Sequence, residues 1–558
     1  MKKYFFNRYA FLIIGILLYV HVIGLLGGIE PWGFYKAWIE WLLLLYLYTL
    51  FYFILRPTRW RALIAALPIL VAYFIQDAYF FVYGKVLRVI EITELPELLQ
   101  VITAGQALMI FVLFILPLAV VITRINYAQI RRLLLGLLPT AMLLILIVVS
   151  PTAYTNFVKQ LGNGIVLYSD AGSVENNGRI NMLLYNEAER RNSLLMTQPY
   201  HNREQYNELI NSKVTQLAAN STQQNIHILV LESFLDPRLF EGLKFNREPV
   251  HNAFKKIFGA KTNLSLSPVF GGATAQAEFE VLCGVPALEK LSSVEFNAFT
   301  GAPAYCLPGI MNKLGYQTVA SNAYKPDFFN AEPAYRGIGF SNIYFPVEYT
   351  ATNSSYLTVK NAGVEKYLFD EDLLQQNLDY IKQHLSNTDR KPLLNYIMTI
   401  YGHTPHVLDP DKRPEIIKLI SSYPDDHLQR SVNQFYYRTE AIAKYINELI
   451  RIDKNSLIIL VSDHVPPLRN GPNTYRALQY LSNVEKSYYY NPLMIIENGK
   501  VKNIRRIRHF DLLDLVYNYV TAGEYCLQTD CPYLSKGNLP ERESYVQDYF
   551  LLMSHASE

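Results

Sequence analysis

The sequence predicts a five-helix transmembrane domain followed by an extracytoplasmic α/β domain, its central sheet mainly parallel with helices on both faces. Three observations predict this. The apolar residues of the 558-residue chain crowd into its first quarter as five separate runs. From Asn225 onward, short apolar runs alternate with helical patterns, as in a parallel α/β sheet. Several of those runs deliver acidic or histidine side chains at their carboxyl ends, where open α/β sheets bind ligands.

The five runs are Tyr9–Leu26, Trp38–Leu55, Leu63–Tyr83, Ala104–Ile122 and Leu133–Val149. Each approaches the ~20 residues that a helix rising about 1.5 Å per residue needs to cross a bilayer. A cleaved signal peptide does not account for them, since the first run is repeated four more times. Lys2, Lys3 and Arg8 precede the first run, Arg56, Arg59 and Arg61 fill the second connection, and Arg124, Arg131 and Arg132 the fourth. The first connection has only Lys36 nearby, and the third sets Lys85 and Arg88 against Glu91, Glu94 and Glu97. The positive-inside rule then places the amino terminus in the cytoplasm and, after five crossings, everything past Ser150 outside. The expected organisation is a transmembrane domain over 1–150, a connector over 151–224 and a catalytic domain over 225–558. A bacterial inner membrane, with the catalytic domain periplasmic or extracellular, is the matching location.

The net charge of +3 is too small to suggest a nucleic-acid partner, and topology explains the clustered arginines. Asp77 and His21 fall inside predicted spans, where an ionisable group raises a functional hypothesis. The plainer expectation is an interior hydrogen bond between helices. All four cysteines lie in the outer part. Cys526 and Cys531 are close enough to close a small loop, and Cys283 with Cys306 would make a second bridge, although the sequence leaves three pairings open. Such bridges suit an oxidising periplasm better than a cytosol. The connector is polar, with a helical piece at Asn202–Ala219 and a turn-rich middle at Ser169–Arg179.

In the outer domain, Ile226–Leu231 reads as a strand buried on both faces and delivers Glu232. Ser456–Ser462 delivers Asp463 and His464, and Leu393–Ile400 runs into His403 and His406. A weaker strand, Gln317–Ser321, leads into the segment that holds Phe329 and Asn330. Before a helical run, Gly271, Gly272 and Ala273 present Thr274 where helix amides favour an anion. Carboxylates, an imidazole and a hydroxyl make a mixed oxygen and nitrogen site for one divalent ion, Mn²⁺ or Zn²⁺ rather than Ca²⁺. A metal-activated hydroxyl beside an anion site is suited to a covalent phosphoryl intermediate. Each residue also has a plainer role open to it. Thr274 is a natural N-cap, Glu232 a helix-start carboxylate, one of His403 and His406 a loop brace, and His227 a packed core histidine.

At these residues the sequence resembles the membrane-anchored branch of the alkaline phosphatase/sulfatase superfamily, most of all the lipoteichoic acid synthase and phosphoglycerol transferase group. VLESF (Val230–Phe234), GGATAQAEFEVLCG (Gly271–Gly284), YGHTPH (Tyr401–His406) and VSDH (Val461–His464) occur in that family's order. The resemblance implies that Glu232, Thr274, Asp463 and His464 hold the metal, that Thr274 is also the nucleophile, and that His403 contacts substrate. It departs at the glycerophosphate-binding segment. Phe329-Asn330-Ala331 stands where a Trp-Asn-Arg-like sequence is expected, and Arg336 is the nearby substitute. Phe329, Asn330, Arg336 and His406 complete the expected substrate contacts. Sulfatases proper are disfavoured, because their nucleophile is made from a cysteine in a C-x-P-x-R setting and Cys283 is followed by Gly-Val-Pro-Ala.

The resemblance implies transfer of a phosphoglycerol head group from phosphatidylglycerol to a glycan or envelope polymer. Three rivals stand beside it. The cargo is phosphoethanolamine from phosphatidylethanolamine, or water is the acceptor and the protein a phosphodiesterase, or the fold serves as a non-catalytic scaffold.

Overall fold

The structure, a computed structural model, describes residues 8–26, 28–29, 37–83, 86–94, 104–165, 170–259, 262–292, 294–350, 354–360, 362–420, 423–534 and 544–558. Lys2, Lys3, Lys36, Lys85 and Glu97, used above for orientation, lie outside the described residues. The chain divides into two compact units, Met1–Met196 with Lys290–Ser293, and Thr197–Glu289 with Val294–Glu558.

In the first unit the apolar runs fold as α1 (Arg8–Leu25), α2 (Trp38–Ile54), α3 (Arg61–Tyr83), α4 and α5 (Ile130–Val149). Helix α4 comprises Ala104–Ile110, a wider π-helical turn at Phe111–Ile115, and Leu116–Arg124. Among the described residues four of these helices are long and apolar enough to cross a membrane, by length and composition. Helix α2 has 17 residues, which corrects the expectation of five full-length spans. It stops at Ile54 because Leu55 turns extended and pairs with Ile125, while the Arg56 amide donates to the Arg124 carbonyl at 2.9 Å. The carboxyl ends of α2 and α4 are thus side by side, as alternating helix directions require.

The polar stretch that follows forms α6 (Pro151–Leu161), α7 (Asp170–Asn177) and α8 (Arg179–Thr197). The segment read as turn-rich is therefore mostly helical, and tertiary contacts explain why. Glu40 of α2, fully buried, accepts from the Ile180 amide at 3.0 Å, the Asn181 amide at 2.8 Å and the Tyr73 hydroxyl at 2.5 Å. Asp77 of α3 pairs with Arg179 at 2.7 Å, both side chains buried, and accepts from the Tyr19 hydroxyl at 2.8 Å. At the first turn of α8, Glu40 satisfies two amides that no helix can bond internally, Asp77 holds the Arg179 side chain, and both carboxylates meet the positive end of the helix dipole. Asp77 thus has an interior partner, as its plainer reading expects, and that partner is a charge. His21 lies exposed on α1.

The second unit opens with α9 (Arg203–Ala218), capped by Asn202, whose side chain accepts from the Gln205 amide at 3.2 Å. Its strands are β1 (Ile226–Leu231), β2 (Asn263–Leu266), β3 (Gln317–Asn322), β4 (Asn342–Tyr344), β5 (Leu393–Met398), β6 (Leu457–Ser462), β7 (Tyr490–Glu497), β8 (Lys500–Lys502) and β9 (Ile507–Arg508). They form one mixed sheet in the order β4-β3-β5-β1-β6-β7-β2-β9, with β8 paired to β7. The run β4-β3-β5-β1-β6 is parallel throughout. β7 reverses direction beside β6. Register sets Leu231 opposite Ser462 and Val230 opposite Met398, so the carboxyl ends of β1, β5 and β6 lie level at one edge. β1, β5 and β6 are buried at every position, which is why each reads as an unbroken apolar run. Below that edge, helices α11 (Asp370–Ser386) and α12 (Asp426–Ile452) share an apolar cluster with the sheet through Leu374, Leu378, Ile442, Ile446, Leu229 and Ile397. Helix α10 (Thr274–Cys283) is buried from Ala275 to its end.

Candidate metal centre and active site

Glu232 follows β1 and Asp463 with His464 follows β6, so the level strand ends put all three at one place. One ligand atom from each lies within 4.8 Å of the other two, and all three residues are buried. The cluster is held from behind. The Ser233 hydroxyl donates to Glu232 Oε1 at 2.7 Å, and the Ser233 amide donates to Asp463 Oδ1 at 2.8 Å. Asp463 Oδ2 is buried and accepts no hydrogen bond among the described residues, with His464 Nε2 3.3 Å away. Burial, and then the Asp463 charge, push the Glu232 carboxyl up from its ordinary range, and burial pushes Asp463 up to about 7. Two carboxylates that repel in a dry site, beside an imidazole and an orphaned oxygen, form a donor set that a divalent cation satisfies.

Thr274 completes the group. It is the first residue of α10, and the N-cap is Ala273 in the left-handed region (φ 57°), with no side-chain cap bond. The N-cap role is therefore not the one Thr274 fills. Its hydroxyl donates to Glu232 Oε2 at 3.1 Å and lies 3.4 Å from His464 Nε2. The glycine before it is used for packing. A Cβ at Gly271 would lie 2.9 Å from Pro467, and the Gly271 amide donates to the Val465 carbonyl at 3.2 Å. That close approach seats the Thr274 loop on the His464 loop.

His403 follows β5 and is half-buried. Its Nδ1 lies 2.8 Å from the Thr404 carbonyl and 3.2 Å from the Tyr367 hydroxyl. A carbonyl accepts only from a protonated Nδ1, so the neutral ring carries its lone pair on Nε2. His406 is fully buried, with Nδ1 3.2 Å from Gln434 Oε1 and its ring 6.0 Å from that of His427. Burial lowers it to about 3. Its partners belong to α12, and the structure does not bring it into the Glu232–Asp463–His464 group.

The residues expected to contact the head group each have partners within the protein. Asn330 donates to the Phe296 and Phe299 carbonyls, both at 2.7 Å, and so braces a loop. Phe329 stacks edge-on against Phe328, with ring centroids 4.6 Å apart. Arg336 is 65% exposed and pairs on the surface with Glu332 one helical turn away. His227 lies at the far end of β1, held by Asp453 at 2.9 Å, which is the core role expected of it.

Sequence reading missed several supporting groups. Ser233 is one. Thr399 is another, its Oγ1 accepting from the Glu232 amide at 2.9 Å. Glu278, one turn along α10 from Thr274, accepts from the hydroxyls of Tyr335 and Tyr396, and burial holds it up at about 7. Ser233 and Glu278 stand inside motifs already singled out, at i+1 and i+4 from candidate ligands, and that spacing was the available signal.

The sulfatase family profile matches residues 224–520, more than half of the chain. The chain belongs to the sulfatase family. In this sulfatase-family protein α10 begins with a threonine and ends with Cys283, which is bridged to Cys306; a second bridge joins Cys526 to Cys531. A Rhizobium meliloti protein named for modification of cyclic beta-1,2-glucan is 23% identical over 315 residues, which cover 53% of this chain and 46% of that protein. An uncharacterised Haemophilus influenzae protein is 25% identical over 260 residues, 42% of this chain and 44% of its own. The chain thus spans about half the length of these relatives. Among solved structures, the Streptococcus pyogenes phosphoglycerol transferase GacH in complex with sn-glycerol-1-phosphate is 18% identical with a TM-score of 0.47, covering 64% of this chain and 94% of its own. The lipoteichoic acid synthase LtaP from Listeria monocytogenes is 18% identical with a TM-score of 0.45, covering 56% and 78%.

Proposed function

We propose that this protein transfers a phosphoglycerol head group from phosphatidylglycerol to a hydroxyl of a glycan or envelope polymer, through a phosphothreonine-type ester on Thr274. The observation that carries the reading is the Thr274 hydroxyl, hydrogen-bonded to Glu232 at 3.1 Å within the buried Glu232–Asp463–His464 group. Those four residues would hold one divalent ion, Mn²⁺ or Zn²⁺. Bound there, such an ion supplies Lewis acidity, which lowers the pKa of a hydroxyl and offsets charge on phosphoryl oxygens.

The chain's own residues account for the remaining steps. Thr274 Oγ1 releases its proton toward Glu232 Oε2 and attacks phosphorus. The bond from phosphorus to the diacylglycerol oxygen breaks, and His403, entering this step as the imidazolium, protonates that oxygen through Nε2 and is left as the neutral ring with its lone pair there. The acceptor hydroxyl then gives its proton to His403 Nε2 and attacks phosphorus in turn. The bond to Thr274 breaks, and the threonine recovers its proton. The amino-terminal amides of α10 favour the anionic phosphoryl group. The apolar helices, placed in the inner membrane of a bacterium with the catalytic unit outside, tether the site to the bilayer that supplies the donor and raise its effective concentration.

A phosphoethanolamine cargo is the second reading, and the two disulfides of the catalytic unit favour it. Mass spectrometry of the purified protein, after incubation with labelled phosphatidylglycerol or phosphatidylethanolamine, tests both. A mass increment on Thr274 from one donor names the cargo. No adduct and no turnover with either donor sinks the transferase reading.

A further inference from the structure

We infer that Arg438 is a positioning residue of this centre, pinning the backbone of Glu232 so that its carboxylate stays in register with Asp463 and His464. The inference rests on the site reading above and names a residue outside every motif used for it.

Arg438 sits within the 27-residue helix α12 and is 2% exposed. Its guanidinium makes three hydrogen bonds, to Asp370 Oδ2 at 2.7 Å, to the Glu232 carbonyl at 2.7 Å and to Thr399 Oγ1 at 3.3 Å. Thr399 Oγ1 accepts in turn from the Glu232 amide at 2.9 Å. Glu232 is therefore gripped at its carbonyl by Arg438 and at its amide by a hydroxyl that Arg438 also orients. Asp370, at the start of α11, fixes the guanidinium from the other side.

The loop that carries His403 is built onto the same bond. A Cβ at Gly402 would lie 1.9 Å from the Glu232 carbonyl oxygen and 2.4 Å from Arg438 Nη1. Any side chain there forces these groups apart, so close approach requires glycine. Arg438 thus joins the residue after β1 to the segment after β5, each delivering one group of the site. A buried arginine–aspartate pair is a poor way to gain stability, because well-packed apolar residues do as well or better. A planar fork holding three acceptors in fixed directions is what arginine does and lysine does not.

The test uses the full-length protein in detergent, as wild type, Arg438→Lys and Gly402→Ala. Gly402→Ala keeps both charged side chains, strains the same contact from the other side, and reports on it if the lysine variant folds poorly. Amide hydrogen exchange is read at Glu232 and Ser233, with β3 amides as the control, alongside Mn²⁺ affinity and kcat and KM for phosphatidylglycerol. Both variants are expected to exchange about tenfold faster at Glu232 and Ser233 only, to bind Mn²⁺ about tenfold more weakly, and to lose kcat about tenfold with KM little changed. Exchange at Glu232 and Ser233 as slow as in wild type overturns the inference. A wild type that binds neither Mn²⁺ nor Zn²⁺ overturns the site reading instead, while the exchange result still decides the role of Arg438.

Discussion

Thr274 Oγ1 lies 3.1 Å from Glu232 Oε2, although 42 residues separate them in the chain. The contact exists because β1 stops at the sheet edge where α10 begins, and it turns a threonine that elsewhere would cap a helix into a hydroxyl aimed at a carboxylate. On the mechanism proposed above, Thr274→Ala is expected to lower transfer by more than about a thousandfold, since a nucleophile has no substitute in its own covalent step. Folding is expected to survive, because Ala273 already caps α10 without any side-chain bond. Turnover of labelled donor, with thermal melting as the folding control, checks this. Wild-type turnover in the variant removes Thr274 from the mechanism.

Asp463→Asn is expected to weaken divalent-metal affinity by at least about a hundredfold, as a charged ligand becomes neutral. The fold should tolerate the change, because the amide oxygen can still accept from the Ser233 amide, now 2.8 Å from Asp463 Oδ1. Metal content by mass spectrometry, after dialysis against fixed free Mn²⁺ or Zn²⁺, decides it. Equal content in mutant and wild type would place the ion elsewhere.

Much of this site was legible from strand ends alone. β1 spans the apolar run Ile226–Leu231, and Glu232, Asp463 and His464 meet because parallel strands of matched register end level. What stayed hidden depends on contacts between distant segments. Arg438 touches Glu232 across 206 positions, and on an amphipathic helix a lone arginine reads as solvent-facing. His406 shares a motif with His403 yet turns into the core, an outcome set by Gln434 and not by local sequence. The Ser169–Arg179 segment has turn chemistry, but Glu40 and Asp77, more than a hundred residues earlier, fix the start of the helix that follows. The run Trp38–Leu55 matches α2 to within one residue, and only the bridge at Leu55 shows why it stops there.

The bridge between Cys283 and Cys306 closes a loop spanning 23 positions at the end of α10. Chain-entropy arguments give such a crosslink about 3 kcal/mol. Replacing both cysteines with alanine is expected to lower the melting temperature by several degrees, and reduction of the wild type should do the same. Activity at low temperature should fall much less than in Thr274→Ala, since the bridge sits at the opposite end of the helix. Melting curves with and without reductant test the expectation, and an unchanged curve would show the bridge adds nothing to stability.

Glu278 gives a pH dependence with a definite sign. Its carboxyl is raised to about 7 by burial, against the hydroxyls of Tyr335 and Tyr396 that bond its charged form. An unfolded chain releases that proton near pH 4, so between about pH 4 and 7 the folded state binds more protons than the unfolded one. The contribution of this group to stability is therefore greatest below about pH 4 and declines as pH rises through 7. Glu278→Gln keeps an oxygen for the two tyrosines and removes the titration. It is expected to flatten the fall in melting temperature between pH 5 and 8, by roughly 1–3 kcal/mol at the upper end. A parallel fall in both proteins would show that Glu278 is charged throughout.

In the first unit, the buried pair of Asp77 and Arg179, 2.7 Å apart, divides two views of an ionisable group in an apolar helix. If it serves only to join α3 to α8, its parts should be replaceable together but not singly. Arg179→Leu strands Asp77 and is expected to destabilise by about 3–5 kcal/mol, with Asp77→Leu doing comparable harm by stranding the guanidinium. The double variant with leucine at both positions removes both charges and should recover most of that loss, because burying an ion pair gains little over packed apolar groups. Melting of the full-length protein in detergent measures the stability cycle, and transfer activity is read beside it. Recovery of both stability and turnover in the double variant assigns Asp77 a structural role, whereas recovered stability with lost turnover would give it a part in the reaction.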